Sequence, residues 1–290
     1  MKLEIDTIAN NALSYEHFVE EYLLPEKPVL IRGVGIPDAE IVNPEYVKET
    51  FLNDANRRPG WVVSELIDND VLEVPPLVKR ILARQDVCLS ATPMRLFLHP
   101  AGHTTFPHFD GNSLHGFNLQ AQGSKRWIAV SPDTPLPTVP FTNVCMVPGE
   151  FDYDAGACDF CSFVTGPGDM VFMPRYWIHE VHALEDRNLS FNWVFTPSFP
   201  NRSSRVGRRE NELAAMAARS PVFDRIFCFG RFQGYGGDGH ELLRTYGRGI
   251  GAIQMIHRFL RELTAYPTLL FRIRQVRNGV NEYKRNNFRV

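Results

Sequence analysis

The spacing of apolar positions changes character along this chain. Over residues 13–24 (Leu-Ser-Tyr-Glu-His-Phe-Val-Glu-Glu-Tyr-Leu-Leu) apolar side chains recur at helical spacing. Ser14 stands where an N-cap belongs, and Pro25 and Pro28 end the pattern. Pro28-Val-Leu-Ile-Arg-Gly33 is a short apolar run stopped by glycine, which predicts a buried strand. Asn43-Pro44 opens a second helical stretch over 44–53, and a third spans 75–83. Residues 1–86 therefore read as a mixed α/β region.

From Val87 onward the period shortens. Met94–His99, Thr105–Asp110, Phe117–Gln122, Lys125–Val130, Phe163–Thr165, Met170–Met173, Val181–Leu184 and Leu189–Phe195 are short runs separated by Gly, Pro and polar turns. Many short strands with such turns predict a sandwich or barrel. We expect a mainly β fold with flanking helices, its jelly-roll barrel spanning 87–197. A Pro-rich stretch over 133–160 has little periodicity and reads as loop. After Pro197 the strand pattern stops. Helical patterns at 208–218, 250–263 and 268–276, around a Gly-rich stretch at 230–239, make 198–290 a helical C-terminal region suited to packing on the barrel or forming a homodimer.

Composition changes this picture little. Of 290 residues, 44% are hydrophobic and 22% charged, as in ordinary globular proteins. No apolar run approaches the roughly 18 residues of a membrane helix, and the N-terminus lacks the apolar core of a signal peptide. We expect a cytoplasmic protein without membrane attachment. Five cysteines, an odd number, fit reduced thiols. Cys158-Asp-Phe-Cys161 has no second pair to complete a zinc site and reads as a loop with two incidental thiols.

Charge adds one asymmetry. Residues 1–200 hold 14 Lys/Arg and 26 Asp/Glu, a balance of -12; residues 201–290 hold 17 and 7, a balance of +10. A basic tail admits a nucleic-acid partner, but packing on the chain's own acidic part accounts for it more simply.

The candidate chemistry lies in two stretches. Thr105-Phe-Pro-His108-Phe-Asp110 places a histidine and a carboxylate at i and i+2, which share one face of a strand. Some 70 residues later, Gly166-Pro-Gly-Asp-Met-Val-Phe-Met-Pro174 leads through Arg175-Tyr-Trp-Ile to His179. Two imidazoles and one carboxylate form a facial set that holds ferrous iron and leaves three positions open. A lone His-x-Asp equally fits a half-exposed strand, so its neighbours decide. His182 is the rival ligand, but three positions on it faces the other side of a regular strand. Pro174 ends one strand so that the following loop presents His179. His103 and His115 read as loop or pocket residues.

The stretch Thr105–Phe195 resembles the JmjC family of iron and 2-oxoglutarate oxygenases. It is most similar to the protein-hydroxylase branch, that of the asparaginyl hydroxylases. The matching elements are His108-x-Asp110, Gly123-Ser-Lys125-Arg-Trp, Gly166–Pro174, Tyr176-Trp-Ile-His179-x-Val181 and Leu189-Ser-Phe-Asn192-Trp-Val-Phe, in family order. The resemblance implies a double-stranded β-helix of cupin type that uses Fe(II), 2-oxoglutarate and O2. His108, Asp110 and His179 would be the metal ligands. It also implies that Lys125 takes the far carboxylate of 2-oxoglutarate, with Thr105 as hydroxyl partner, Asn192 as a pocket amide and Asn118 near the iron. Without the resemblance, Lys125 would read as an exposed strand lysine; with it, Arg126 should point outward. Trp127, Trp177 and Trp193 read as core.

The implied activity is hydroxylation of a protein or peptide side chain, with succinate and CO2 as co-products. A small molecule, a natural product or a tRNA base are alternative substrates for the same barrel. A histone demethylase fits less well, because no reader module or paired zinc motif is present. A catalytically silent binding scaffold and a cupin metalloenzyme of another type are the remaining alternatives.

Overall fold

The computed structural model describes residues 2–51, 63–110, 114–132 and 159–199. The expected C-terminal helices, the Gly-rich stretch, most of the 133–160 loop, Cys145, Cys158 and Cys228 lie outside them. Thirteen strands are described: β1 (Lys2–Leu3), β2 (Asp6–Ala9), β3 (Val29–Arg32), β4 (Val63–Ile67), β5 (Cys88–Ala91), β6 (Met94–His99), β7 (Thr104–His108), β8 (His115–Gln122), β9 (Lys125–Val130), β10 (Phe160–Thr165), β11 (Met170–Met173), β12 (Ile178–Ala183) and β13 (Asn188–Pro197). The helices are α1 (Tyr15–Phe18), continued by a π-helical turn over Val19–Leu23, α2 (Pro44–Phe51) and α3 (Pro76–Leu82). The Ser14 side chain accepts from the His17 backbone N–H at 3.1 Å, so the expected cap forms.

The strands make two sheets that face each other as a β-sandwich. The smaller sheet runs β1-β10-β9-β12-β7 and the larger β2-β3-β11-β8-β13-β6-β4, with β5 pairing β13. Strands β6 to β9 alternate between the sheets, as do β10 to β13, so nearly every turn crosses from one layer to the other. The N-terminal region is stitched into both layers: β1 pairs with β10, β3 with β11, and β4 with β6. Strands β1, β2 and β4 have weak periodicity in the sequence. They form because their partners offer open ladders, and propensity alone does not specify them.

The larger sheet has two unlike faces. On its outer face Phe117, Leu119, Phe172, Phe191, Trp193 and Phe195 are fully buried against Phe18, Leu23, Val47, Val78 and Ile81 of the N-terminal helices. Each such side chain contributes about 2–3 kcal/mol by leaving water. Alternate residues of the same strands point between the sheets. There a smaller apolar cluster of Leu30, Trp127, Ala129, Cys161, Phe163, Val171, Met173 and Val181 fills part of the interior. The rest of the interior is polar.

Two expectations are corrected. Cys161 is not in a loop: β10 begins at Phe160, and the thiol is buried between the sheets, where burial pushes it up to about 11. His179 is not presented by a loop: the turn after Pro174 is short, and β12 starts at Ile178. Tyr176 makes that turn tight with a left-handed φ of 67°.

Candidate metal centre and its anion pocket

β7 and β12 are antiparallel neighbours, and His108 lies directly opposite His179. Directly opposed residues share a face, so both imidazoles enter the space between the sheets with ring centroids 4.3 Å apart. Asp110 lies just past the end of β7, and its Oδ1 is 3.8 Å from Nε2 of each histidine. One ligand atom from each of the three residues falls within 4.8 Å of the others. The expectation that His108 and Asp110 share a strand face is met only in outcome. β7 stops at His108, and the chain bends at Asp110. Phe109, between them, is buried and meets the Tyr176 ring edge-on at 5.8 Å.

Gly116 makes room for the carboxylate. It sits on β8, and a Cβ there would lie 2.8 Å from Asp110 Oδ2 and 3.6 Å from Asn192 Nδ2. Any side chain at 116 would push Asp110 away.

The donor set suits a cation. His179 Nδ1 is 3.1 Å from the Trp177 carbonyl, which can only accept, so Nδ1 carries the proton and Nε2 keeps its lone pair for a ligand. Burial, reinforced by His108, lowers His179 to about 4 and holds it neutral, the form that binds metal. Its 3.8 Å approach to Asp110 is therefore not an ion pair at neutral pH.

Deeper in the same interior lies Lys125, only 3% exposed. Its Nζ donates to Ser190 Oγ at 2.5 Å and lies 6.0 Å from the Phe97 ring centroid. No carboxylate pairs with it among the described residues. Burial lowers it from the usual lysine value to about 7. Arg126, the next residue, is exposed as expected. Behind Lys125, His99 and His103 stack at 4.1 Å. Burial and the Lys125 charge push both down, His103 to about 4.

Thr105 reaches this interior through an irregularity. On β12 one residue separates His179 from Val181, whereas on β7 two separate their partners, His108 and Thr105. The bulge puts i and i+3 on one face, which a regular strand forbids. Pro107 lies within it and has no N–H to lend to a ladder. Asn118 and Asn192 oppose each other across β8 and β13. Asn118 Nδ2 is 3.5 Å from Ser190 Oγ, which ties it to Lys125, while Asn192 is the amide beside Asp110. Both amides therefore lie on the inner face, Asn192 on the side of Gly116 and Asp110 and Asn118 in contact with Ser190.

Other histidines lie elsewhere. His115 is not a pocket residue. It is fully buried on the outer face among Phe172, Phe195 and Phe199, and its Nδ1 accepts from the Arg175 backbone N–H at 3.2 Å. His182 faces away from the cluster, with Nε2 2.7 Å from Glu180 and Nδ1 3.2 Å from Thr104 Oγ1. Trp127 and Trp193 are buried, and Trp177 is partly so, donating to the Glu26 carbonyl at 3.0 Å. Sequence reasoning missed Ser190 and Gly116. Alternation in Leu189-Ser-Phe-Asn192 could have put Ser190 beside Asn192 on one face; nothing local marks Gly116.

Residues 76–201 match the family model for the JmjC domain. The match runs from α3 to just past β13 and contains every residue of the cluster and pocket. It supports the JmjC/cupin family for this stretch, whose members are typically Fe(II)- and 2-oxoglutarate-dependent oxygenases, although some are inactive. No curated protein matches the chain. Among the described residues, no helix is long and apolar enough to cross a membrane.

Proposed function

We propose that this protein is an Fe(II)- and 2-oxoglutarate-dependent oxygenase that hydroxylates a protein or peptide side chain, on a double-stranded β-helix of cupin type. One observation carries the reading. A buried lysine with no carboxylate partner among the described residues shares an interior with a His-Asp-His cluster. Burying an uncompensated cation is costly. A pocket with metal donors at one end and a lone cation at the other suits a dianion that chelates with one end and ion-pairs with the other.

In this reading His108, Asp110 and His179 hold the iron. Lys125, steadied by Ser190, takes the far carboxylate, and Thr105 supplies a hydroxyl to it. Asn118 and Asn192 line the space between. Trp127, Phe163 and Val181 keep water from the pocket wall. When bound, iron and 2-oxoglutarate supply oxygen activation, with succinate and CO2 as co-products. The branch of the asparaginyl hydroxylases is the analogue this reading follows. The same reading divides the chain into an N-terminal region to 86, a barrel over 87–197 and a basic C-terminal region over 198–290 that pairs two copies, and it places the protein in the cytoplasm.

The test is anaerobic. Iron(II) and 2-oxoglutarate added to the apoprotein should give a visible metal-to-ligand charge-transfer band. The band should vanish in His179→Ala and weaken in Lys125→Ala. Iron binding without a band sinks the 2-oxoglutarate assignment; no iron binding leaves a silent binding scaffold.

A further inference from the structure

Lys125 is buried between the sheets, but the inner face of the larger sheet reaches solvent at its β6–β4 edge, and what stands at that edge bears on the substrate. Register places it. In β6, Arg95 lies opposite Asn192 of β13, which lies opposite Asn118 of β8. On the other side Arg95 lies opposite Leu66 of β4. Directly opposed residues share a face, so Leu66, Arg95, Asn192 and Asn118 form one row on the inner face of the larger sheet. The flanking residues, Met94 and Leu96, point into the outer core and are fully buried.

Exposure changes sharply along that row. Asn118 is buried and Asn192 partly so, whereas Arg95 is exposed and Leu66 is 54% exposed. Solvent therefore reaches the inner face over β6 and β4, one inner-face pair along β13 from Ser190, which holds Lys125, and one pair the other way from Val194 and Gly116, beside Asp110. Arg95 and Gly116, which cradles Asp110, are two strands and one inner-face pair apart, about 12 Å at the usual strand spacing and rise. An extended arginine side chain covers little more than half of that distance. Among the described residues Arg95 has no hydrogen bond or ion pair, and its aliphatic neighbour in register, Leu66, is exposed.

An arginine with no partner among the described residues, at the solvent-facing edge of the sheet that carries Gly116 and Asn192, is a fork for a carboxylate. A phosphate backbone would want a track of cations, yet residues 1–200 carry a balance of -12. We infer that Arg95 binds an acidic side chain of a polypeptide substrate, with Leu66 carrying an adjacent apolar residue, and so selects substrates with a carboxylate near the reacting position. This rests on the oxygenase reading above and names its substrate class.

The test uses iron(II) and 2-oxoglutarate-loaded protein, held anaerobic, with fluorescent capped nonapeptide pools that are random except for a central Glu, Gln or Lys. Anisotropy should show the Glu pool bound on the order of tenfold tighter than the Gln pool by wild type. Arg95→Gln should abolish the difference, and Arg95→Glu should favour the Lys pool. Equal binding of the Glu and Gln pools by wild type, or a preference that survives in Arg95→Gln, overturns the inference. The charge-transfer band is recorded on the same samples. Its absence in wild type removes the oxygenase reading itself. Its presence in wild type but loss in Arg95→Gln assigns Arg95 to 2-oxoglutarate and overturns the substrate role alone.

Discussion

Strands β8 and β13 carry two chemistries on alternate residues. Phe117, Leu119, Phe191, Trp193 and Phe195 face outward into a dry core built with the N-terminal helices. Gly116, Asn118, Gln120, Ser190 and Asn192, one position off, face the polar space between the sheets. The outer face gains stability from aromatic burial, with Phe117 5.1 Å from Phe172 and 5.5 Å from Phe18. The inner face spends some of it, leaving a cation without a counter-ion and the Asn118 and Gln120 side-chain oxygens without partners among the described residues. Stability and ligand binding are thereby separated within single strands, and substitutions one residue apart should fail in different ways.

The largest expected effect is on the outer face. Phe117→Ala removes a fully buried ring between three others and should cost about 3–5 kcal/mol of stability, read by denaturant or thermal unfolding. Loss of metal binding should follow only through loss of the fold. A change below about 1 kcal/mol would show that the helices, and not this sheet face, hold the core.

One position away, Gly116→Ala should leave the fold almost intact. The added Cβ meets the far end of a flexible side chain, Asp110 Oδ2, which can rotate away. That rotation withdraws the carboxylate from His108 and His179. Iron(II) affinity should fall about 10–100-fold, measured by anaerobic titration, with a change in unfolding free energy below about 1 kcal/mol. Unchanged affinity would mean that Asp110 is not a ligand.

Much of this architecture is legible in the residues, and the exceptions have physical causes. The strands that form the site follow from alternation between turns, and the helix at Ser14 from its cap. The metal cluster follows from residue types that few other sites combine. β7 defeats strand-period reasoning, because a bulge at Pro107 brings Thr105 onto the face of His108, and Asp110 acts from a bend beyond the strand. Gly116 and Ser190 were missed because their roles are set by neighbours across the sandwich, 6 and 65 positions away, Asp110 and Lys125. His115 reads in the sequence as a loop or pocket residue because it follows His108 and Asp110 closely. Its parity on β8 puts it on the outer face instead.

Lys125 tests the inner face from the opposite direction, since its removal should stabilise. Lys125→Met replaces a buried cation with an apolar side chain of similar length and should raise the apoprotein's stability by about 2 kcal/mol at pH 6, while abolishing 2-oxoglutarate binding. The sign follows from linkage. The folded value, about 7, lies below the unfolded value near 10.5, so the unfolded chain binds the extra proton between them. Wild-type stability should therefore rise with pH from about 7 to 10.5, and the advantage of Lys125→Met should shrink over the same window. A destabilised variant would show that the ammonium has a compensating partner.

The smallest effect is a slope in the cosubstrate titration. If the far carboxylate needs a charged Lys125, binding must restore the proton that burial removes above pH 7. The affinity for 2-oxoglutarate should be flat below about pH 7 and fall up to tenfold per pH unit above it. Calorimetry at pH 8 in two buffers of different ionisation enthalpy should show close to one proton taken up on binding, and almost none at pH 6. The comparison sharpens here, because the buried histidine of the outer face does not produce this signature. His115 is buried there and pushed well down by burial and by Arg175. Binding without proton uptake at pH 8 would mean that the carboxylate is held by the hydroxyls and amides of Thr105, Ser190 and Asn118, with the lysine neutral beside it.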